Sequence, residues 1–134
     1  MNILSSDFNK GFDVGSSDIW KSLFSTIYTN LSPKKASISL ALQILHDERC
    51  PSAHALETAR QFNLIRDMLS QFSPDHLVYD CDHPKKLPPW AEKISPVVTS
   101  CANFYTTADG EDLLYEIVRI LCYAGVAGVD VIVQ

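Results

Sequence analysis

The sequence lacks the apolar stretches that export and membrane insertion require. Its first ten residues, MNILSSDFNK, contain neither the basic segment nor the apolar segment of a signal peptide. The longest apolar run, residues 120–129, lies between Arg119 and Asp130. It is about half as long as the ~20 residues that span a bilayer. We therefore expect a soluble, cytoplasmic protein that has no membrane partner.

Closely spaced metal-binding pairs are also lacking. The cysteines are Cys50, Cys81, Cys101 and Cys122, and none forms a C-x-x-C pair. In a reducing cytoplasm they are expected to be free thiols, and the apolar pattern around Cys122 places it in the core. His46 and Cys50 are four residues apart, and Cys81, Asp82 and His83 are adjacent, but neither group has zinc-finger or zinc-ribbon spacing. We expect no metal and no cofactor.

The common catalytic motifs are missing. The sequence contains no G-x-S-x-G, no H-E-x-x-H and no phosphate-binding G-x-x-x-x-G-K-[ST]. Isolated acids, histidines and cysteines occur in any chain of this length, so we expect no enzymatic activity. The alternative is a small metal- or ligand-binding enzyme that uses Cys81, Asp82 and His83.

Positive charge is scarce in the last third of the chain. The net charge is −5, and residues 94–134 hold five acids against one base, Arg119. This distribution argues against direct nucleic-acid binding, which needs a basic surface. It permits a basic protein partner attracted by charge. The alternative is a solvated helix face whose acids interact with the helix dipole.

The length and composition are typical of one globular domain, residues 1–134. The chain has 46% hydrophobic and 20% charged residues, the balance expected of a soluble domain. Apolar residues at helical spacing predict helices over residues 18–31, 38–49 and 56–72, and a fourth from Leu113 to the Gly125–Gly128 region. Residues 38–45 also suit a buried strand. Ser16 or Ser17, Ser52 and Asp109 are the predicted N-caps, with Asp112 completing a capping-box-like pair.

Strands are predicted at residues 8–14, 77–79, 97–107 (at least 101–106) and 129–133, with an irregular proline-rich loop over residues 80–96. The resulting element order is β-α-α-α-β-loop-β-α-β. We predict an α/β fold of the α+β type, in which a small mixed or antiparallel sheet packs against about four helices.

The loop and the helix that follows it supply the candidate contacts with a partner. Trp90 follows the stiff Pro88-Pro89 pair, and aromatic side chains dominate binding hot spots. The alternative is that Trp90 packs the loop onto the core. The predicted partner-binding residues are Asp80, Asp82, Trp90, Glu92, Glu111, Asp112 and Glu116. We expect a monomer, and a rival hypothesis is an adaptor that self-associates through residues 129–133.

Several segments carry a family resemblance. They are FSTI at 24–27, IRDMLSQFSPDHLVYD at 65–80, PPW at 88–90, IS at 94–95, TS at 99–100, NFYTTADGEDL at 103–113 and GVDVIV at 128–133. With these segments in this order, the chain resembles a family of immunity proteins from bacterial polymorphic-toxin and contact-dependent growth inhibition systems, the family numbered seventy.

The resemblance implies a small cytoplasmic α/β protein without enzymatic activity. Such a protein would bind the C-terminal domain of one cognate toxin, a domain that is often a nuclease with a basic cleft, and block its active site or substrate surface. The resemblance supplies no catalytic residues and no fixed contact positions. The partner-binding residues therefore rest on charge and predicted exposure.

Overall fold

The computed structural model describes residues 1–90 and 93–134. Within them lie four α-helices and a four-stranded sheet. The elements are β1 (Asn2–Ser5), β2 (Gly11–Asp13), α1 (Ser17–Leu31), α2 (Ser39–Asp47), β3 (Arg49–Cys50), α3 (Ser52–Leu69), α4 (Leu113–Ala127) and β4 (Val131–Val133). Two 3-10 helices cover Ser32–Ile38 and Pro74–His76. None of the described helices is long and apolar enough to cross a membrane.

The sheet has the order β2-β1-β4-β3, and every neighbouring pair is antiparallel. Ile3 of β1 lies opposite Phe12 of β2 and Val133 of β4. Ile3, Val131 and Val133 are buried, whereas Leu4 and Ile132 are only half-buried. Alternate residues point to opposite faces of a strand, so one face of this sheet forms part of the core. The predicted α+β fold with a small sheet packed against helices is confirmed.

The helix ends follow local capping chemistry. Ser16 caps α1 as predicted, because its side chain accepts a hydrogen bond from the backbone amide of Asp18. The prediction of Asp109 as the cap of α4 was wrong, since Asp112 is the N-cap and accepts from the Tyr115 amide. Ser52 is the first residue of α3 and not its cap. Gly128 ends α4 at φ 72°, a left-handed conformation that glycine adopts without a steric penalty.

The buried residues form one apolar cluster to which all four helices and the sheet contribute. Phe62 and Ile65 of α3 and Leu114 and Leu121 of α4 are fully buried within it. The two helices approach closely at Gly125, where an added Cβ would lie 2.5 Å from Leu56 Cγ. The glycine therefore allows the end of α4 to pack against the start of α3.

The predicted strand at residues 77–79 was wrong, because this segment bonds to a helix and not to a strand. The Val78 carbonyl accepts from Ser22 Oγ at 2.7 Å and from Thr26 Oγ1 at 3.2 Å, and the Val78 amide donates to Thr26 Oγ1. The Cys81 amide donates to Ser25 Oγ at 3.0 Å. Ser22, Ser25 and Thr26 share one face of α1, and their hydroxyls take the place of a neighbouring strand.

The predicted strand at residues 101–106 was also wrong. The Asn103 side chain accepts from the amides of Thr99 and Ser100 and donates to the Val97 carbonyl. These local bonds fold the segment into turns, because a short amide side chain competes with strand pairing for the backbone groups. A single bridge, between Thr106 and Asp112, is present in this region.

Two strands were not predicted, β1 and β3, and they alter the element order. The second helix was expected to continue to Arg49, but it ends at Asp47, and Glu48 adopts a left-handed φ of 60°. Arg49 then begins β3. The strand expected over residues 8–14 covers only Gly11–Asp13, and Cys122, expected in the core, is exposed. Strands of two to four residues carry too little alternation to be recognised in a sequence.

The position of β4 bears on the self-association hypothesis. β4 lies between β1 and β3, and both of its edges are paired. Residues 129–133 therefore offer no free strand edge to a second molecule.

The Tyr105 hydroxyl provides a test of this packing. The ring is 1% exposed, and the hydroxyl oxygen lies 2.9 Å from Ser22 Oγ and 2.7 Å from Thr26 Oγ1. We expect Tyr105→Phe to lower the free energy of unfolding at pH 7 by ~1–2 kcal/mol, because two buried hydroxyls lose a partner. Urea denaturation measures this change, and an unchanged stability would show that the contact contributes nothing.

A second expectation concerns pH. Burial raises the pKa of Tyr105 to about 12, although hydrogen bonds from Ser22 and Thr26 oppose the shift. The unfolded tyrosine ionises near pH 10, so its contribution to stability is complete below that pH and is lost as the pH rises towards 12. The stability difference between the wild type and Tyr105→Phe should shrink over this interval in denaturation curves. A constant difference would contradict the burial argument.

Candidate partner-binding surface

The first candidate surface is the loop that follows residue 79. Trp90 is half-buried, and its ring lies 4.9 Å from the Phe104 ring and 5.4 Å from the Tyr79 ring, measured between centroids. Lys86 Nζ lies 5.1 Å from the centre of the Tyr79 ring, and the Tyr79 hydroxyl donates to Asp18 Oδ2 at 3.0 Å. Trp90 therefore packs the loop against the body of the protein. This is the role that the sequence analysis gave as the alternative to partner binding.

Asp80 organises the start of this loop from a buried position. It is 6% exposed, and its carboxylate accepts from the Asp82 amide and lies 3.0 Å from His83 Nδ1 and 3.2 Å from Lys21 Nζ. Burial opposes the charged form, but the bonds from His83, the Asp82 amide and Lys21 outweigh it and hold the pKa of Asp80 below its ordinary value. The structure thus places this predicted contact residue inside the protein.

The remaining loop candidates differ from Asp80 in exposure. Asp82 is exposed. An open cleft beside it is lined by Lys21, His83 and Lys85 among others. Glu92 lies outside the described residues. Of the acidic loop candidates that the structure describes, Asp82 is the one with a carboxylate on the surface.

The second candidate surface is the acidic start of α4. Glu111 is exposed on a tight turn, in which the Thr107 amide donates to the Glu111 carbonyl and the Glu111 amide donates to Thr107 Oγ1. Asp112 is half-buried, caps α4 and lies 3.8 Å from Arg66. Glu116 lies 3.3 Å from Arg119. Glu111 is therefore the most available of the three acids, while Asp112 and Glu116 also have internal partners.

The residues considered for metal binding are not brought together. Among residues 1–90 and 93–134, no group of three histidine, cysteine or acidic side chains is placed to hold a metal ion. His46 is bonded to Asp47 at 2.8 Å, while Cys50 is buried beside Thr58. Burial raises the pKa of Cys50 and raises that of Cys101 to about 11. Both thiols therefore stay protonated at neutral pH, which disfavours a nucleophilic role.

The sequence analysis missed one surface, the turn between β1 and β2. Phe8 at its tip is 73% exposed and has a left-handed φ of 57°. Asp7 Oδ2 accepts from the Tyr123 hydroxyl at 2.6 Å, and Asn9 Nδ2 donates to the same hydroxyl at 2.9 Å. The turn is thus fixed to α4. To predict this turn from the sequence, the pairing of β1 with β2 would have to be known first.

The loop provides a test of the role assigned to Asp80. We expect Asp80→Ala to release the loop, because the Asp82 amide, His83 and Lys21 all lose an acceptor. Acrylamide quenching of tryptophan fluorescence should increase as Trp90 becomes more exposed, while Trp20 stays buried at 4% exposure. Asp82→Ala is the matched control, since it removes an exposed acid two residues away. Equal quenching of the two variants would contradict the organising role.

Comparison with known proteins identifies the family of the chain. The family model described as Immunity protein 70 matches residues 4–133. No curated protein and no solved structure matches the chain. The family match extends from β1 to β4 and includes the proline-rich loop and the acidic start of α4, as the sequence resemblance predicted. The chain therefore belongs to the Immunity protein 70 family.

Proposed function

We propose that this protein binds one cognate toxin domain and blocks its active site or its substrate surface. The observation that carries the proposal is the family match over residues 4–133. The protein works as a single immunity-type domain in the cytoplasm, where it protects the producing cell and its siblings. Inhibition of this kind needs a stable complex and no chemistry of its own.

The charge of the molecule supports a basic toxin, with a nuclease as the favoured kind. The net charge is −5, and Asp82 and Glu111 present carboxylates on two exposed segments. A nuclease cleft is positive because it must bind phosphates. Acidic side chains on the inhibitor attract such a cleft at long range and pair with its basic groups at contact.

The described loop geometry supports recognition by a preformed surface. Trp90 and Asp80 are held by the aromatic and hydrogen-bonding contacts described above, so the Asp82 segment is ordered before a partner arrives. Preorganisation lowers the entropy that binding must overcome. We expect an interface of standard size, about 1,200–2,000 Å² in total.

The direct test is protection of growth. We expect co-expression of this chain to rescue bacteria that express the toxin domain encoded directly upstream, and the two proteins to co-purify as a complex. A catalytically inactive toxin variant allows the complex to be prepared without toxicity. Absence of both rescue and complex formation would rule out the proposed function.

The role of charge is tested by association kinetics. We expect Glu111→Gln to slow association with the toxin domain by ~3-fold at low salt and to change dissociation little, because an exposed charge acts mainly on the encounter. Glu57→Gln is the control, since it removes one exposed acid from the start of α3. Equal association rates for the two variants would contradict electrostatic steering at the start of α4. So would a weaker affinity of Glu111→Gln that comes only from faster dissociation.

A further inference from the structure

We propose that a cleft between α1 and α2 receives a basic side chain of the toxin, with arginine as the favoured residue. This inference rests on the proposed function and identifies one contact of the complex. The cleft has a volume of about 320 Å³ and is formed by the start of α1, the end of α2 and the residue that follows α2. Its floor is apolar and its mouth is acidic, which matches the apolar stem and charged head of arginine.

The floor of the cleft consists of aromatic and aliphatic side chains. Trp20 forms its base at 4% exposure, and Phe24, which is half-buried, forms an accessible wall. The indole nitrogen of Trp20 donates to the Leu45 carbonyl at 3.2 Å. This bond joins the two helices and leaves the indole no free donor for a ligand. A guanidinium group stacks on aromatic rings, and its methylene stem covers apolar surface.

Two carboxylates lie at the mouth of the cleft. Asp18 and Glu48 line it, and both residues are exposed. Asp18 accepts a hydrogen bond from the Tyr79 hydroxyl at 3.0 Å, which is a neutral donor. Among residues 1–90 and 93–134, neither carboxylate has an ion-pair partner. Both can therefore form charge-assisted hydrogen bonds with a basic side chain from outside.

The cations that border the cleft are bound to acids outside it. Lys21 Nζ lies 3.2 Å from Asp80, and this hydrogen bond is the main reason that the pKa of Lys21 is raised. The terminal amine of Met1 lies 3.7 Å from Asp13. Each of these cations is balanced by an acid, so the two carboxylates at the mouth are in excess.

The remaining charges near the cleft also cancel. His46 is bonded to Asp47 at 2.8 Å, and Arg49 lies 2.5 Å from Asp130. The N-terminal end of α1 and the C-terminal end of α2 both meet the cleft, and the dipoles of two such ends have opposite signs. The charge at the mouth is therefore negative, and it favours a basic group over an acidic or neutral one.

The backbone at Glu48 supports a role for its side chain outside the fold. Glu48 caps α2 at φ 60° and ψ 26°, a left-handed conformation that is strained for a residue with a Cβ and that glycine adopts freely. Its carbonyl accepts from the Val133 amide, a bond that glycine could also make. The strained glutamate is thus not explained by the packing, and such outliers occur at binding sites.

The cleft adjoins the proline-rich loop. Lys21 borders both this cleft and the open cleft beside Asp82. The bond between Tyr79 and Asp18 connects the start of the loop to the mouth. One partner surface can therefore cover Asp82 and the mouth together, and all the acids that it meets there attract basic groups.

Ser17 provides a matched pair of variants that tests the cleft. It is the first residue of α1, is exposed and lines the cleft. Ser17→Phe adds a ring that can cover the apolar floor, whereas Ser17→Ala leaves the cleft open. We expect Ser17→Phe to bind the inactive toxin variant at least ~10-fold more weakly than Ser17→Ala in calorimetry, because an anchoring side chain is excluded.

The outcomes of this comparison are distinct. Circular dichroism checks that both variants fold, and the Glu48 variants below decide the question if Ser17→Phe does not. Equal affinities of two folded variants would overturn this inference and leave the proposed function intact. Failure of the wild type to form any complex would overturn both. A wild-type dimer in sedimentation that dissociates in Ser17→Phe but not in Ser17→Ala would show that a second copy occupies the cleft, and it would overturn the assignment to the toxin.

Glu48→Gly separates recognition from stability. We expect its melting temperature not to fall below that of the wild type, because glycine relieves the left-handed strain. Its affinity for the toxin should fall by ~5-fold or more, because a carboxylate at the contact is lost. Glu57→Gln removes an exposed acid of α3 and is the control, which should bind like the wild type. Wild-type affinity of Glu48→Gly would overturn the assignment of this contact.

Double-mutant cycles identify the partner's side chain. Each surface arginine and lysine of the toxin domain is replaced by methionine, and binding is measured to the wild type and to Glu48→Gln. One replacement should weaken binding to the wild type by ~5-fold or more and have little further effect on Glu48→Gln, because the two residues contact each other. If no basic residue of the toxin is coupled to Glu48, the assignment to a basic side chain is wrong.

Discussion

A buried group of hydroxyls on α1 is the constraint on which the rest of the structure depends. Ser22, Ser25 and Thr26 are fully buried, and a hydroxyl buried without a partner destabilises a fold. Their partners are the backbone of residues 78–81 and the Tyr105 hydroxyl. Two long irregular segments must therefore meet at α1. Once they do, Asp80 can organise the loop that follows, and Trp90 can pack against Phe104.

The sequence predicted the parts of the fold that depend on local pattern. The apolar spacing was sufficient to predict α1, α3 and α4, because the pattern of an amphipathic helix repeats over many residues. The presence of a small sheet was predicted, but most of its strands were not, because they are two to four residues long and are defined by the strands they pair with. Residues 77–79 show the reason most clearly. Their sequence favours a strand, but a helix bearing three hydroxyls satisfies their backbone groups, and only the tertiary structure brings it there.

The candidate surface was predictable to a smaller degree. Charge alone identified the acidic start of α4, yet it could not separate Glu111, which is exposed, from Asp80, which is buried beside Lys21 and His83.

The place of β4 in the sheet has a consequence for biosynthesis. β4 is the last of the described elements along the chain, yet it occupies an inner position and joins β1, near the first residue, to β3. Such pairings between distant segments form late and slowly, because the intervening chain must first be closed into a loop. On the ribosome, β1 and β2 can form a hairpin early, but the four-stranded sheet has to wait until β4 has emerged. A nascent chain that already contains the four described helices would therefore still have an incomplete sheet, and the native fold would be reached only after β4 is in place.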